Sequence, residues 1–110
     1  MAKQYKVLVS NAAQASINYI FGHLTDKYSL QTAINKERKL LEAIQSLKKI
    51  PKGYSRLRIK RKKNDNPYRF FPVEHYKIIY TVEEEPAAIV IIIELIHDNM
   101  SMKRLEKLLP

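Results

Sequence analysis

The sequence predicts an α+β fold in the order β-α-α-β-β-β. An N-terminal strand and an antiparallel helical hairpin lie on a mainly antiparallel sheet of four to five strands, with a short C-terminal helix or tail. The first half of the chain repeats its apolar residues at spacings of three and four, the period of a helix lying on a core. From residue 56 the pattern changes to alternation, the period of a strand. Residues 88–96 are almost wholly apolar and mostly β-branched, as in a central strand buried on much of both faces.

The elements follow in order. Residues 5–9 alternate, with Tyr5, Val7 and Val9 on one face and Lys6 and Leu8 on the other. Ser10 or Asn11 is available to cap the first helix, whose stripe is Ala13, Ile17, Ile20, Phe21 and Leu24. Gly22 and Thr25-Asp26-Lys27 mark its end. The second helix carries Leu30, Ala33, Ile34, Leu40, Leu41, Ile44 and Leu47, with Ser29 or Asp26 as its cap. Lys48 and Lys49 suit the negative end of its dipole, and Pro51 and Gly53 stop it. Residues 56–61 alternate as a strand, with Leu57, Ile59 and Arg61 on one face and Arg56, Arg58 and Lys60 on the other. Residues 62–67 read as a loop. Residues 68–73 and 76–82 form one or two strands interrupted near Pro72, which cannot donate to a ladder. Residues 83–86, Glu-Glu-Glu-Pro, make a turn into the apolar strand. Met102, Leu105, Leu108 and Leu109 suggest a terminal helix starting at Asp98, Asn99 or Ser101. The hairpin is expected to cover one sheet face and leave the other more open, as a platform of Lys and Arg for a polyanion.

At 110 residues the chain is expected to form a single domain, 1–110, too short for separate cofactor and substrate domains. It has no cysteine, which removes disulfides and thiolate metal sites and leans towards a reducing compartment. With only two glycines, it has no Gly-rich phosphate loop or nucleophile elbow, so classical nucleotide-binding enzymes are excluded and no cofactor is expected. The three histidines, His23, His75 and His97, lack metal-ligand spacing, and no metal is expected. Too few apolar residues precede Ser10 for a leader, and no run is long enough to span a bilayer. A cytoplasmic protein is expected.

Charge is the first functional clue. Twenty Lys and Arg against eleven Asp and Glu give a net charge of +9 and favour an acidic or nucleic-acid partner. The excess is uneven, since residues 52–77 carry nine cations against Asp65 and Glu74. Arg56, Arg58, Lys60, Arg61, Lys62 and Lys63 are its densest run and the candidate binding residues. A charged edge that resists aggregation explains the run equally well. Tyr54 and Tyr68 flank it, where they either stack on bases or pack.

The segment running Tyr68-Arg69-Phe70-Phe71-Pro72-Val73-Glu74-His75-Tyr76-Lys77-Ile78-Ile79-Tyr80-Thr81-Val82 resembles the paired strands of the RelE/ParE toxin superfamily. The opening Val9-Ser10 into an Ala-rich helix, Leu47-Lys48-Lys49-Ile50-Pro51, and Leu95-Ile96-His97 resemble other parts of that family. The resemblance covers nearly the whole chain and implies the toxin of a type II toxin–antitoxin pair, neutralised by an acidic antitoxin. One branch cleaves mRNA on the ribosome; the other shares the fold and inhibits DNA gyrase. Fold alone does not choose between them.

For a ribonuclease the resemblance implies Lys77 and Arg69 as phosphate-binding cations and His97 as the proton carrier. Imidazoles titrate near neutral pH, which suits that role. Lys77 stands where the cleaving branch commonly has an arginine, and it lacks the bidentate fork. No tyrosine follows Tyr80 and no arginine follows Arg69 before Arg104, so the family's catalytic set is incomplete. Arg69 reads more readily as the ion-pair partner of Glu94, a carboxylate on an apolar strand that needs one, than as a catalytic cation. Alternation places His97 with Ile89, Ile91, Ile93 and Leu95, and His75 at the surface. The first reading is a ParE-like toxin that inhibits growth by binding a target such as gyrase. The alternatives are a RelE-like ribonuclease acting on ribosome-bound mRNA, and an inactive basic binding module of the same fold.

Overall fold

Serine side chains start both long helices. A computed structural model describes residues 4–57, 67–100 and 102–109. Its elements are β1 (Lys6–Val9), α1 (Asn11–Lys27), α2 (Leu30–Ser46), β2 (Arg69–Val73), β3 (Tyr76–Glu83), β4 (Ile89–His97) and α3 (Met102–Leu108), with a short 3-10 turn at Pro51–Gly53. The Ser10 hydroxyl accepts from the Ala13 amide at 3.0 Å, and that of Ser29 accepts from the Thr32 amide at 3.1 Å. Each satisfies an amide with no partner inside the helix. Only residues 28–29 separate the helices, so they form the expected hairpin. Gly22 does not end α1, which runs five residues further, to Lys27.

The sheet has the order β1-β4-β3-β2. β1 runs parallel to β4, and the β4–β3 and β3–β2 pairs are antiparallel. The apolar strand is therefore internal, as its composition demands. Only a trace of a fifth strand is described: Arg56 bridges Arg69, Leu57 donates to the Tyr68 carbonyl, and Phe70 donates to that of Ser55. The rest of the expected strand, from Arg58 on, lies outside the described residues.

One core lies between hairpin and sheet. Ile17, Leu40, Ile44 and Leu47 meet Ile78, Tyr80, Val90, Ile92 and Leu95, all essentially inaccessible. Each such aliphatic side chain contributes about 1.5–3 kcal/mol on leaving water. The opposite face is less open than the alternation implied. Leu57, Tyr68, Ile79 and Ile96 form a second cluster there with Leu105 of α3 and Leu109 just beyond it. The short terminal helix and the chain before β2 thus cover part of the face expected to be a polyanion platform.

A bulge resets the faces of β4. Ile79 pairs with Glu94 but Tyr80 pairs with Ile92, leaving Ile93 as the extra residue. Val90 and Ile92 face the hairpin, and beyond the bulge Leu95 and His97 face it too, while Ile93 packs in the second cluster. His97 therefore does not share a face with Ile89, Ile91 and Ile93, as strict alternation would require. Ser10 holds this irregularity in place: its hydroxyl donates to the Ile93 carbonyl at 2.9 Å and its amide to that of Ile92 at 3.0 Å. Among the described residues, no helix is long and apolar enough to cross a membrane.

Candidate functional site

The sheet separates the cations expected to bind phosphate. Arg69 faces the hairpin side at the start of β2, where Nη1 donates to the Tyr54 carbonyl at 2.7 Å and reaches that of Lys52 at 3.5 Å. Its cross-strand partner Tyr80 donates its hydroxyl to the Pro51 carbonyl at 2.5 Å. Together they hold the 3-10 turn against the sheet. Arg69 therefore does not pair with Glu94. That carboxylate instead accepts from the Ser16 hydroxyl of α1 and, at 3.0 Å, from the Leu95 amide. Burial pushes the Tyr80 phenol up to about 12, against a smaller opposing pull from the Arg69 charge.

Lys77 takes the other face. It stands opposite Ile96, and its ammonium lies 5.6 Å from the centre of the Phe70 ring. His97 ends β4 on the hairpin side, opposite Tyr76. Its Nδ1 lies 3.2 Å from both the Asn99 amide and the Asp98 carboxylate. These contacts are alternatives: a bare Nδ1 accepts from Asn99, and a protonated one donates to Asp98. Lys77 and His97 sit near one end of the sheet on opposite faces, and Arg69 sits at the far end of β2. Of the basic run, Arg56 is described at the β2 edge; Arg58, Lys60, Arg61, Lys62 and Lys63 lie outside the described residues. The flanking aromatics pack, Tyr54 stacking on Phe71 with centroids 4.0 Å apart and Tyr68 lying buried.

What the chain does bring together is its histidines. His23 of α1, His75 in the β2–β3 turn and His97 of β4 line one cleft of about 340 Å³. Leu24, Lys27, Tyr28, Thr32, Lys36, Glu74 and Tyr76 complete its walls. His75 and His97 stack at 6.4 Å between ring centres, and Tyr76 meets His97 edge-on at 5.6 Å. Glu74, held at a positive φ of 57° in the tight turn, bridges Lys36 at 3.1 Å and Lys39 at 3.0 Å on α2. Hydrogen bonds from Lys39 and then Lys36, reinforced by their charges, hold the Glu74 carboxyl below the usual carboxylate range. Burial, helped by Tyr28, raises the Tyr76 phenol. A second groove shares His23, Tyr76 and His97 and continues over Ser16, Tyr19, Ile20 and Met100.

Sequence reading missed this cleft. Its histidines are tens of residues apart and share no local spacing, and His75 read as plain surface. The visible signal was the short loop at residues 74–75, which carries a histidine back to the end of the following strands. Among the described residues, no group of three His, Cys, Asp or Glu side chains is placed to hold a metal ion.

Comparison with known proteins places this architecture. No curated protein matches the chain in sequence. Among solved structures, the chain is similar to one described as the chromosomal ParDE toxin–antitoxin system from P. aeruginosa. The TM-score is 0.68 at 12% identity, over 87% of this chain and 98% of that one. It is also similar to a chain of the toxin–antitoxin complex RelBE2 from Mycobacterium tuberculosis. There the TM-score is 0.60 at 17% identity, over 86% of this chain and 91% of that one. At these identities the likeness establishes the fold. The family model for the ParE toxin of the type II toxin–antitoxin system parDE matches residues 7–102, nearly the whole chain from β1 to the start of α3, and the protein therefore belongs to the ParE toxin family.

Proposed function

We propose that the protein inhibits growth by binding a macromolecular target such as DNA gyrase, and that an acidic antitoxin neutralises it. The observation that carries this reading is the dispersal of the ribonuclease candidates. Cleavage needs a proton carrier and phosphate-binding cations around one phosphodiester. Here Arg69 is occupied by main-chain carbonyls at the start of β2, and Lys77 lies across the sheet from His97. A toxin that works by binding needs no such convergence. The net charge of +9 supports an acidic partner steered by the basic run from Arg56 to Lys63. The two similar structures named above are described as toxin–antitoxin systems, which supports an antitoxin as that partner.

Induction in bacterial cells tests the reading. Binding to gyrase gives filamentation, DNA-damage signalling and intact transcripts, and the purified protein inhibits supercoiling. Cut transcripts with continuing replication would establish the RelE-like ribonuclease instead. No effect on growth would leave an inactive basic binding module.

A further inference from the structure

We propose that the histidine cleft is a binding site for a nucleoside monophosphate, with its phosphate on Lys27 and Lys36 and its base against Tyr28 and Tyr76. The inference is independent of the growth-inhibition target, and the cleft lies on the hairpin side of the sheet, away from Lys77. Four parts of the chain build it: the end of α1, the first turns of α2, the β2–β3 turn and the end of β4. Its volume of about 340 Å³ falls in the range of small-ligand sites.

The electrostatics favour an anion. Lys27 and Lys36 are in the walls and Lys39 is beside them; against these stand Glu74, already bridged by Lys36 and Lys39, and Asp98 behind His97. Lysine ammoniums bind phosphate as point charges with several donors, so the bridge to Glu74 leaves Lys36 further donor capacity. The imidazoles of His23, His75 and His97 add donors around the same space.

The rest of the lining favours a flat ring. Tyr28 is 61% exposed, with its ring 5.5 Å from the Lys27 ammonium. Tyr76 and Leu24 line the same cleft, and Tyr28 lies near enough to Tyr76 to act on its phenol. Aromatic faces hold nucleobases without regard to sequence. A bare carboxylate would engage the lysines and leave this aromatic half unused. Both a free nucleotide and the phosphorylated end of a strand present the required chemistry.

The chain's only three histidines all line this cleft, so their ring proton resonances report on it. Titration of the whole protein with adenosine monophosphate is expected to shift all three imidazole signals saturably. Ribose 5-phosphate is expected to bind more weakly and adenosine more weakly still. Lys27→Gln and Lys36→Gln should each weaken binding on the order of ten-fold, the effect of losing one charge-assisted hydrogen bond at an open site. Tyr28→Ala should abolish the preference for the nucleotide over ribose 5-phosphate. A 5′-phosphorylated tetranucleotide that binds more tightly than the monophosphate identifies a strand end as the ligand, and the reverse order identifies a free nucleotide. No saturable histidine shift at millimolar nucleotide would overturn the proposal. So would affinity unchanged in both lysine variants, or glutamate binding as tightly as the nucleotide.

Discussion

Tyr80 shows how much one polar atom decides in this core. Its ring is wholly buried among aliphatic residues, and its hydroxyl meets the carbonyl of Pro51. Tyr80→Phe keeps the shape and leaves that carbonyl without its donor, so it should cost about 1–3 kcal/mol at neutral pH. The folded phenol titrates near 12 rather than 10.0, so the unfolded chain releases this proton first. Stability from Tyr80 is complete below pH 10.0 and falls as pH rises towards 12. Denaturant melts across that window should therefore show a shallower alkaline loss in Tyr80→Phe than in the parent; equal slopes would mean the phenol is not desolvated as described. Ser10 is the second residue of this kind. It caps α1 and ties β1 to the bulge of β4 through its hydroxyl and amide. Ser10→Ala should cost about 1–2 kcal/mol, at the upper end for a cap, measured by thermal or urea unfolding.

At the level of elements, Gly22 offers a simple test of α1. It lies inside the helix, and a Cβ there would meet nothing within 4 Å. Gly22→Ala should stabilise the protein by about 0.5–1 kcal/mol, because alanine loses less backbone freedom in a helix interior. An unchanged or lower melting temperature would argue that α1 is interrupted there. The sequence made most elements legible because their signals are local: Ser10 and Ser29 start helices, and the β-branched run from residue 89 marks a central strand, although α2 ends at Ser46, before the Lys48, Lys49 and Pro51 expected to close it. The bulge was not legible. In a run of Val and Ile, a slip of one residue leaves the hydrophobic pattern unchanged, so alternation carried the wrong phase through to His97. The covering of the second face escaped for a related reason. Leu105 and Leu109 mark an amphipathic tail, but nothing local says against which face it folds. The candidate site was the least legible part. Arg69 looked like a partner for Glu94 because both needed one, yet the sheet gives Arg69 to carbonyls and Glu94 to Ser16. The cleft of His23, His75 and His97 exists only through long-range packing.

For the whole molecule, fold and charge together support a binder more strongly than a cleaving enzyme. The hairpin and sheet share one core and the candidate catalytic residues are divided between faces, while the +9 charge is concentrated around one segment. The proposed electrostatic recognition through that segment would be screened by salt. Association with an acidic antitoxin should therefore weaken steeply as ionic strength rises, with most of the change in the association rate. Calorimetry and stopped-flow mixing check this, and a salt-independent affinity would mean that apolar contacts dominate. The central claim is that growth inhibition comes from binding and not from proton transfer at His97. Its most direct test is growth inhibition at matched expression by His97→Ala and by the double charge reversal Arg58→Glu/Lys60→Glu, with circular dichroism verifying the fold of each. Loss of a general acid or base costs on the order of 100- to 10,000-fold in rate, so the two mechanisms separate cleanly. The account predicts that His97→Ala stays toxic and the charge-reversed protein is weakened. A folded, harmless His97→Ala beside a fully toxic charge-reversed protein would contradict it.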